Sequence, residues 1–485
     1  MAENLTGLQW AEQAFRDQSL NTRYDTYRDY VEGKHNLAFA TAKYAQVFGA
    51  MFADFNYNRC GVVIDSHADR LQVERFIVEA GGASETAGDL WRRNRMDGRA
   101  GEIHKAALRD GDAYVVVWPE AGTALSDTAA FPQFWPAKSE YMRVDYDDET
   151  PGKVVLAAKS WLTGTTTATQ RRRLNLYYPD RIEKYVTTSA GTTISAATFV
   201  EHRPQGEPWP VLNPWGTVPV FHFANNADTG AYGASELRDV IPLQDGLNKS
   251  LKDLLAACEL AGFPQKVIEG LDAGDENVLE GLRRLEAGLN KIFMLPSDGS
   301  GNKPSIAEFT AANLPQLIAV VEMFDKLISR VSRVPVHYLQ MSGDFPSGRA
   351  LRTAEAPFVA KIEDRQTSFG NVWEDAMHLA LRQAGVANPG LLTTVWKAAA
   401  PLSREDAWDL AILQNSVGVP LEQILREIGY DEEEITAITA IADQTRAETA
   451  AMFAVAGAGA PGQSTREGRQ VAAEDEDEGE TGAVA

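Results

Sequence analysis

The sequence predicts an α+β protein, and three textures along the chain predict it. Apolar residues spaced among charges read as helical over roughly the first hundred positions. Short β-branched and aromatic runs follow, and from Gly233 onward the periodicity is helical again. Sequential short strands joined by tight turns argue for antiparallel pairing rather than a parallel α/β sheet.

The elements can be justified in order. Val62, Val63, Ile64, Leu71, Phe76 and Ile77 sit between charges, and Trp91 to Leu108 is basic and amphipathic, so both stretches read as helix. Tyr114-Val-Val-Val-Trp118, stopped by Pro119, is the first strand. Similar runs lie at Tyr141–Tyr146, Lys153–Leu162, Leu174–Tyr178, Ile182–Thr188 and Val218–Phe223, with Pro179-Asp180 supplying a turn.

A helix opens at Ser235-Glu236-Leu237 and carries Leu237, Ile241, Leu247, Leu251, Leu254, Leu255 and Cys258 on one stripe as far as Ala261. At a rise of 1.5 Å per residue this is a rod of about 40 Å. Pro242 should kink it early, and Gly262-Phe263-Pro264 should end it. A second rod runs from Asn313, a candidate N-cap, to Arg333, with Pro315 near its start and Pro335 closing it. Leu247, Leu251 and Leu254 of the first rod are expected to pack against Leu317, Val321, Phe324 and Ile328 of the second. Residues 263–312 form a small α/β unit between them. It holds strand-like Gln265–Ile268 and Lys291–Leu295, an acidic helix near Glu276–Gly288 and a loop at Ser297–Pro304.

Val336 to Arg349 contains two glycines and one proline and reads as a loop. A long helix follows from Ala350 to Gln383, bent at Pro357, with Phe358, Ile362, Phe369, Val372, Trp373 and Met377 on one side. Three shorter helices come next. Ser403-Arg-Glu-Asp406 resembles a capping box, Pro420 occupies a first-turn position and Gly429 is a stop. Past Gly457 the composition turns to Ala, Gly and Pro with Glu474-Asp-Glu-Asp-Glu478, which reads as disorder.

Composition narrows the function. With 485 residues, 44% hydrophobic and 24% charged, the chain can bury a large core. Its net charge of −22 argues against gripping nucleic acid by a basic surface, because such affinity comes from counterions released by Lys and Arg. Two distant cysteines, Cys60 and Cys258, make neither a disulfide framework nor a zinc spacing. The start lacks the pattern of a secretory signal, and the longest apolar run, Ala450 to Ala460, is far short of the ~20 residues of a membrane helix. A soluble product of the cell interior is expected, without membrane contact.

Catalytic motifs are scarce in the sequence. There is no phosphate-cradling G-x-x-x-x-G-K-[ST], no H-E-x-x-H and no G-x-S-x-G. Gly457-Ala-Gly-Ala-Pro-Gly462 matches G-x-G-x-x-G in letters only, since no strand precedes it. His67, between Asp65 and Asp69, is read as a helix-surface residue rather than a metal ligand. Asp145, Asp147 and Asp148, with Glu149, could make a two-metal nuclease site, but Pro151-Gly152 behind them favours a solvated turn. Arg92-Arg93-Asn94-Arg95 and Arg171-Arg172-Arg173 could touch phosphates, or be a solvated helix face and a strand edge.

Several segments together resemble a known family. Gly233-Ala-Ser-Glu-Leu-Arg-Asp-Val-Ile-Pro-Leu-Gln-Asp-Gly-Leu-Asn-Lys-Ser-Leu-Lys-Asp253, running into Gly262-Phe-Pro264, is similar to the signature of portal proteins of tailed double-stranded-DNA bacteriophages, in the siphophage branch. Tyr30–Leu37, Asn58–Asp65 with Asp69-Arg-Leu71, Ala107–Val117 and Gly418–Gly429 resemble other family segments in the family's order.

The resemblance implies a ring-forming portal fold with an α/β wing (1–232), a two-helix stem (233–262 and 313–334) and a clip (263–312). A tunnel loop (335–349), a long kinked wing helix (350–395) and a helical crown (396–456) complete it, ahead of an acidic tail (457–485). It implies a dodecameric homo-oligomer at one capsid vertex of the virion, made in the host bacterial cytoplasm, through which double-stranded DNA is packaged and ejected. Implied partners are the terminase large subunit, the major capsid protein, the scaffold and a head-completion adaptor. No enzyme activity and no cofactor are implied. The absent P-loop fits a separate motor that hydrolyses ATP. Candidate DNA-facing groups of the tunnel loop are His337, Tyr338, Leu339, Met341, Asp344 and Arg349; for Tyr338, Leu339 and Met341, packing against a neighbouring subunit is an equal alternative.

Overall fold

The structure is a computed structural model describing residues 5–35, 56–80, 82–119, 131–190, 194–204, 207–262, 266–271, 292–296, 305–308, 313–340, 348–400, 404–428, 430 and 432–457. The expected acidic helix Glu276–Gly288, the loop Ser297–Pro304, Met341, Asp344, Ser403, Gly429 and the tail beyond Gly457 lie outside these residues. The chain divides into two units, 1–399 and 400–485.

The first unit is mixed helix and sheet. It opens with α1 (Gly7–Arg16), whose capping box pairs the Thr6 hydroxyl with the Gln9 N–H and the Gln9 side chain with the Thr6 N–H. α2 (Ser19–Val31) and α3 (Arg59–Ala68) follow, the latter capped by the Asn58 side chain on Gly61 N–H at 3.1 Å. β1 (Val73–Val78) falls where the apolar spacing suggested helix. It pairs antiparallel with β14 (Leu392–Trp396), more than three hundred residues away. Phe76 and Val78 point inward, while the apolar Ile77 is half exposed and hides the two-residue alternation.

The expected single helix from Trp91 to Leu108 is two, α4 (Ala83–Arg93) and α5 (Met96–Asp110). The break falls at Arg95, which takes a left-handed conformation (φ +55°). The buried Asn94 side chain beside it donates to the Leu90 and Pro132 carbonyls and accepts from Phe134 N–H, tying the helix end to the next sheet.

β2 (Asp112–Pro119) is buried on both faces and lies between β3 (Pro132–Ala137) and β10 (Val220–Ala224). The second sheet is an antiparallel meander of β4 (Met142–Tyr146), β5 (Val154–Thr163), β6 (Arg171–Tyr177), β7 (Arg181–Thr187) and β8 (Phe199–Glu201), with β9 (Val211–Leu212) added to β7. One of its faces meets the first sheet around Tyr114, Val116, Ala157, Tyr177 and Ile182; the other is covered by Ala11 and Phe15 of α1.

Two rods then appear, α6 (Ile241–Gly262) and α7 (Leu314–Ser332), packed on each other. Between them lies a three-stranded sheet in which β11 (Lys266–Leu271) pairs parallel with β12 (Ile292–Pro296) and antiparallel with β13 (Ser305–Glu308). A short α8 (Val336–Leu339) leads to α9 (Gly348–Gln383), assigned as one helix through Pro357. The main core gathers α2, α3, α5, β2 and α9 around Trp373, Phe369, Phe358 and Phe223.

The second unit holds α10 (Arg404–Ser416), α11 (Leu421–Ile428) and α12 (Glu432–Gly457). Pro420 precedes α11 and its carbonyl accepts from Gln423 and Ile424, as a proline at a helix start can.

Candidate functional site

A dense set of buried polar contacts lies where the chain enters the first rod, built from Asp110-Gly111-Asp112 at the α5–β2 turn. Gly111 (φ +95°) ends α5 in a left-handed conformation and lies against Gly233, where a Cβ on either residue would run into the other's backbone. This contact explains the glycine that opens the 233–253 segment. Asp112 is fully buried and accepts from Gly233 N–H at 2.6 Å and Tyr24 hydroxyl at 2.7 Å, with His222 Nε2 at 2.8 Å. The other His222 nitrogen meets Tyr146 Oη at 2.6 Å. Burial, together with the neighbouring Asp112 charge, pushes the Tyr24 hydroxyl well up. Asp110 takes Arg28, Arg109 and the Ser139 hydroxyl.

From this knot the chain runs into the first rod. Glu236 is buried and held by Lys361 and Arg365 of α9. Burial alone would push its carboxyl up, but the attraction of its cationic neighbours, Lys361 foremost, outweighs that and holds it at about 2. Lys361 also donates to the Ser332 carbonyl at 3.0 Å, at the C-terminus of α7. One ammonium thus ties both rods to the long helix.

A second tie is the buried Arg59–Asp325 pair, with Nε and Nη2 of Arg59 at 2.9 and 3.1 Å from the two carboxylate oxygens. Gln244 and Asn248, one turn apart on α6, bond the backbone of Tyr57 and Arg59. Gly246 lets the Phe324 ring rest against the helix backbone, where a Cβ would come within 2.6 Å of it. Leu247 and Ile328 are fully buried here, and Leu251, Val321 and Phe324 are partly buried around them; Leu254 and Leu317 are half-buried.

The structure separates the other candidates. Pro242 is the second residue of α6, so it starts the helix there instead of kinking one that began at Ser235. Within the expected loop, Val336–Leu339 is a helical turn. Leu339 is buried in the chain's own core, which corrects its nomination as a DNA-facing group. His337 and Tyr338 are half-buried, both on Glu355 Oε1 at 3.0 and 3.3 Å, and Tyr338 also accepts from Arg70. Arg349 falls in the first turn of α9.

Asp145 sits in β4, and Asp147 and Asp148 in the turn after it. Asp147 caps the Glu149 N–H and reaches Lys153 at 3.8 Å. Among the described residues no group of three His, Cys, Asp or Glu could hold a metal, and no helix is long and apolar enough to cross a membrane. His67 is not on a surface. It is fully buried against Phe358, with Nδ1 on the Val63 carbonyl, and burial pushes its pKa down to about 4. Asp112, Arg59, Asp325, Lys361 and Arg365 were not singled out as site residues from sequence. The Asp-Gly-Asp triplet was the visible signal, since a glycine between two acids marks a helix stop with backbone donors nearby.

The rods, the strands between them and the residues around Gly233 are matched by a family profile. Residues 16–448 fit "Phage portal protein, SPP1 Gp6-like". The chain belongs to this phage portal family. Two curated relatives agree. The portal protein of Mycobacterium phage D29 is 26% identical over 437 residues, covering 86% of this chain and 84% of that protein. The portal protein of Mycobacterium phage L5 is 26% identical over 414 residues, covering 79% and 77%. Membership makes the chain a structural component of the phage head-tail connector, in a family that is not enzymatic; the nuclease alternative has no support.

Proposed function

We propose that this portal protein assembles as a closed ring of about twelve chains, as cyclic symmetry allows, whose bore passes double-stranded DNA. The 266–308 excursion then serves as the docking surface for the terminase large subunit and later for the adaptor. The major capsid protein and scaffold surround the body. The observation that carries this reading is the exposed apolar side of α7. Ile318, Val320, Met323 and Val331 are all more than a third exposed on a rod whose other side already packs on α6. A lone chain gains nothing by offering such a stripe to water, whereas a neighbouring copy would cover it.

The charge supports a conduit that does not hold its cargo. A net −22 per chain, repeated around a ring, repels phosphate and forgoes the counterion release on which tight binding depends. The test is the particle mass in solution. About twelve chains of 53.0 kDa give on the order of 600 kDa. A monomer or dimer under conditions where the chain is folded would overturn the ring.

A further inference from the structure

One face of the β4–β8 sheet is divided in two. Its first half packs on the β10–β2–β3 sheet through Val144, Ala157, Tyr177 and Ile182. One step along the strands, the same face carries Lys159 opposite Asn175 and Asn175 opposite Lys184. The next step carries Trp161 opposite Arg173, then Val186 and the exposed Val200. Trp161 is close to two cations, with Lys159 Nζ, two residues back on the same strand, 5.4 Å and the guanidinium of Arg173, its partner on β6, 5.6 Å from its ring centre.

These cations are unusual in so acidic a chain. Among the described residues, the side chains of Lys159 and Arg173 make no hydrogen bond and no ion pair, and their polar contacts run only through the backbone ladder. Burial pushes the Lys159 ammonium down, and Arg173 likewise, partly offset by the charge of Glu207. Arg173 Nε and Asn175 Oδ1 are both closed off from solvent without a partner. Half-buried cations and polar atoms left in this state are costly unless something completes them. The sheet itself shows what completes such a group: Lys184 Nζ holds both oxygens of Glu207, at 2.7 and 2.6 Å.

We propose that this half-face docks an acidic, extended segment of a partner protein, its carboxylates on Lys159 and Arg173 beside Trp161, as Glu207 sits on Lys184. Val186 and Val200 offer apolar contact beside the charges. Nucleic acid fits less well. Sequence-tolerant strand binding stacks bases on open aromatic faces, and here cations stand over the Trp161 ring. Duplex binding needs many phosphate contacts, and the rest of the chain repels phosphate.

The test uses the full-length protein and a short fluorescein-labelled peptide alternating glutamate and valine, followed by anisotropy at low salt. Binding is expected, weakened at least ~10-fold by the Lys159→Ala/Arg173→Ala double variant and unchanged by Arg75→Ala, an exposed position of β1. Carbodiimide should couple Lys159 to the peptide, with Lys184–Glu207 coupling as the internal control. Three results would each overturn the proposal: equal binding by the double variant, the control coupling without coupling at Lys159, or tighter capture of a labelled oligonucleotide by the same residues. A change in the assembled mass of the double variant would assign the face to a second copy and overturn it as well.

Discussion

At the scale of single residues, the buried polar groups decide what the body tolerates. Arg59→Met leaves Asp325 charged and alone in the core, and should cost about 3–5 kcal/mol in a urea titration. Arg59→Met with Asp325→Leu should recover most of that loss; no recovery would mean the cost lies elsewhere than in the orphaned carboxylate. Protonation sets a second constraint. His67 and His104 are neutral in the fold, each pushed by burial from 6.5 to about 4. His104 Nε2 accepts from Trp373 and Nδ1 lies on the Leu71 carbonyl, an arrangement only the neutral ring can make. Because the unfolded chain binds these protons first, their stabilisation is complete above about pH 6.5 and is lost as pH falls toward 4, on the order of 3 kcal/mol per histidine. Glu236 acts in the next window down. Its folded pKa of about 2 lies below the ordinary 4.5, so its contribution holds above 4.5 and fades only below that. His67→Phe should therefore flatten the decline in denaturation midpoint between pH 7 and 5, and an undiminished decline would refute the assignment.

At the scale of elements, the bare side of α7 and the central strand β11 carry separable predictions. Met323→Glu should abolish the large particle while leaving far-UV circular dichroism unchanged, since the side chain is half exposed within one chain. Val267→Pro strikes a strand paired on both edges and removes a ladder donor. It should leave the particle mass intact and eliminate terminase capture; retained capture would move the docking surface away from these strands. How much of this was legible in sequence depended on where each element's partner lies. The rods could be read because their stripes repeat every three to four residues over more than five turns, and the six expected strands because each is a short β-branched or aromatic run bounded by turn residues. β1 and β14 could not, because each is short and its reason for existing is the other, across the whole body. α4 and α5 merged because the break is made by a left-handed Arg95 beside the buried Asn94, with no glycine or proline to mark it. At the site, the glycine of the 233 segment was visible, but its cause was not. Gly111 and Asp112 meet it only in three dimensions. Leu339 was misjudged because flanking glycines and a proline suggested a loop, while its own turn is helical and apolar on the inner side.

At the scale of the whole molecule, charge and connectivity work together. Full-length protein should fail to retain duplex DNA on a filter at about 0.15 M salt, and retention there would contradict passage without adhesion. The tie made by Lys361 has a bearing on what can be exchanged. It holds the segment entering the first rod, at Glu236, and the last carbonyls of the second, at Ser332, so the intervening chain leaves and rejoins the body at one place. Only what lies beyond the far ends of the rods, between 262 and 313, is free to be lengthened, shortened or exchanged, because Gln244, Asn248, Asp325, Leu247 and Ile328 bind the near halves of the rods into the body. A body closed in this way behaves as a socket. A chimaera that exchanges 263–312 for the matching stretch of another portal protein should therefore fold with its body unchanged, as judged by the same urea midpoint, and a lowered midpoint would show that the exchanged stretch supports the body.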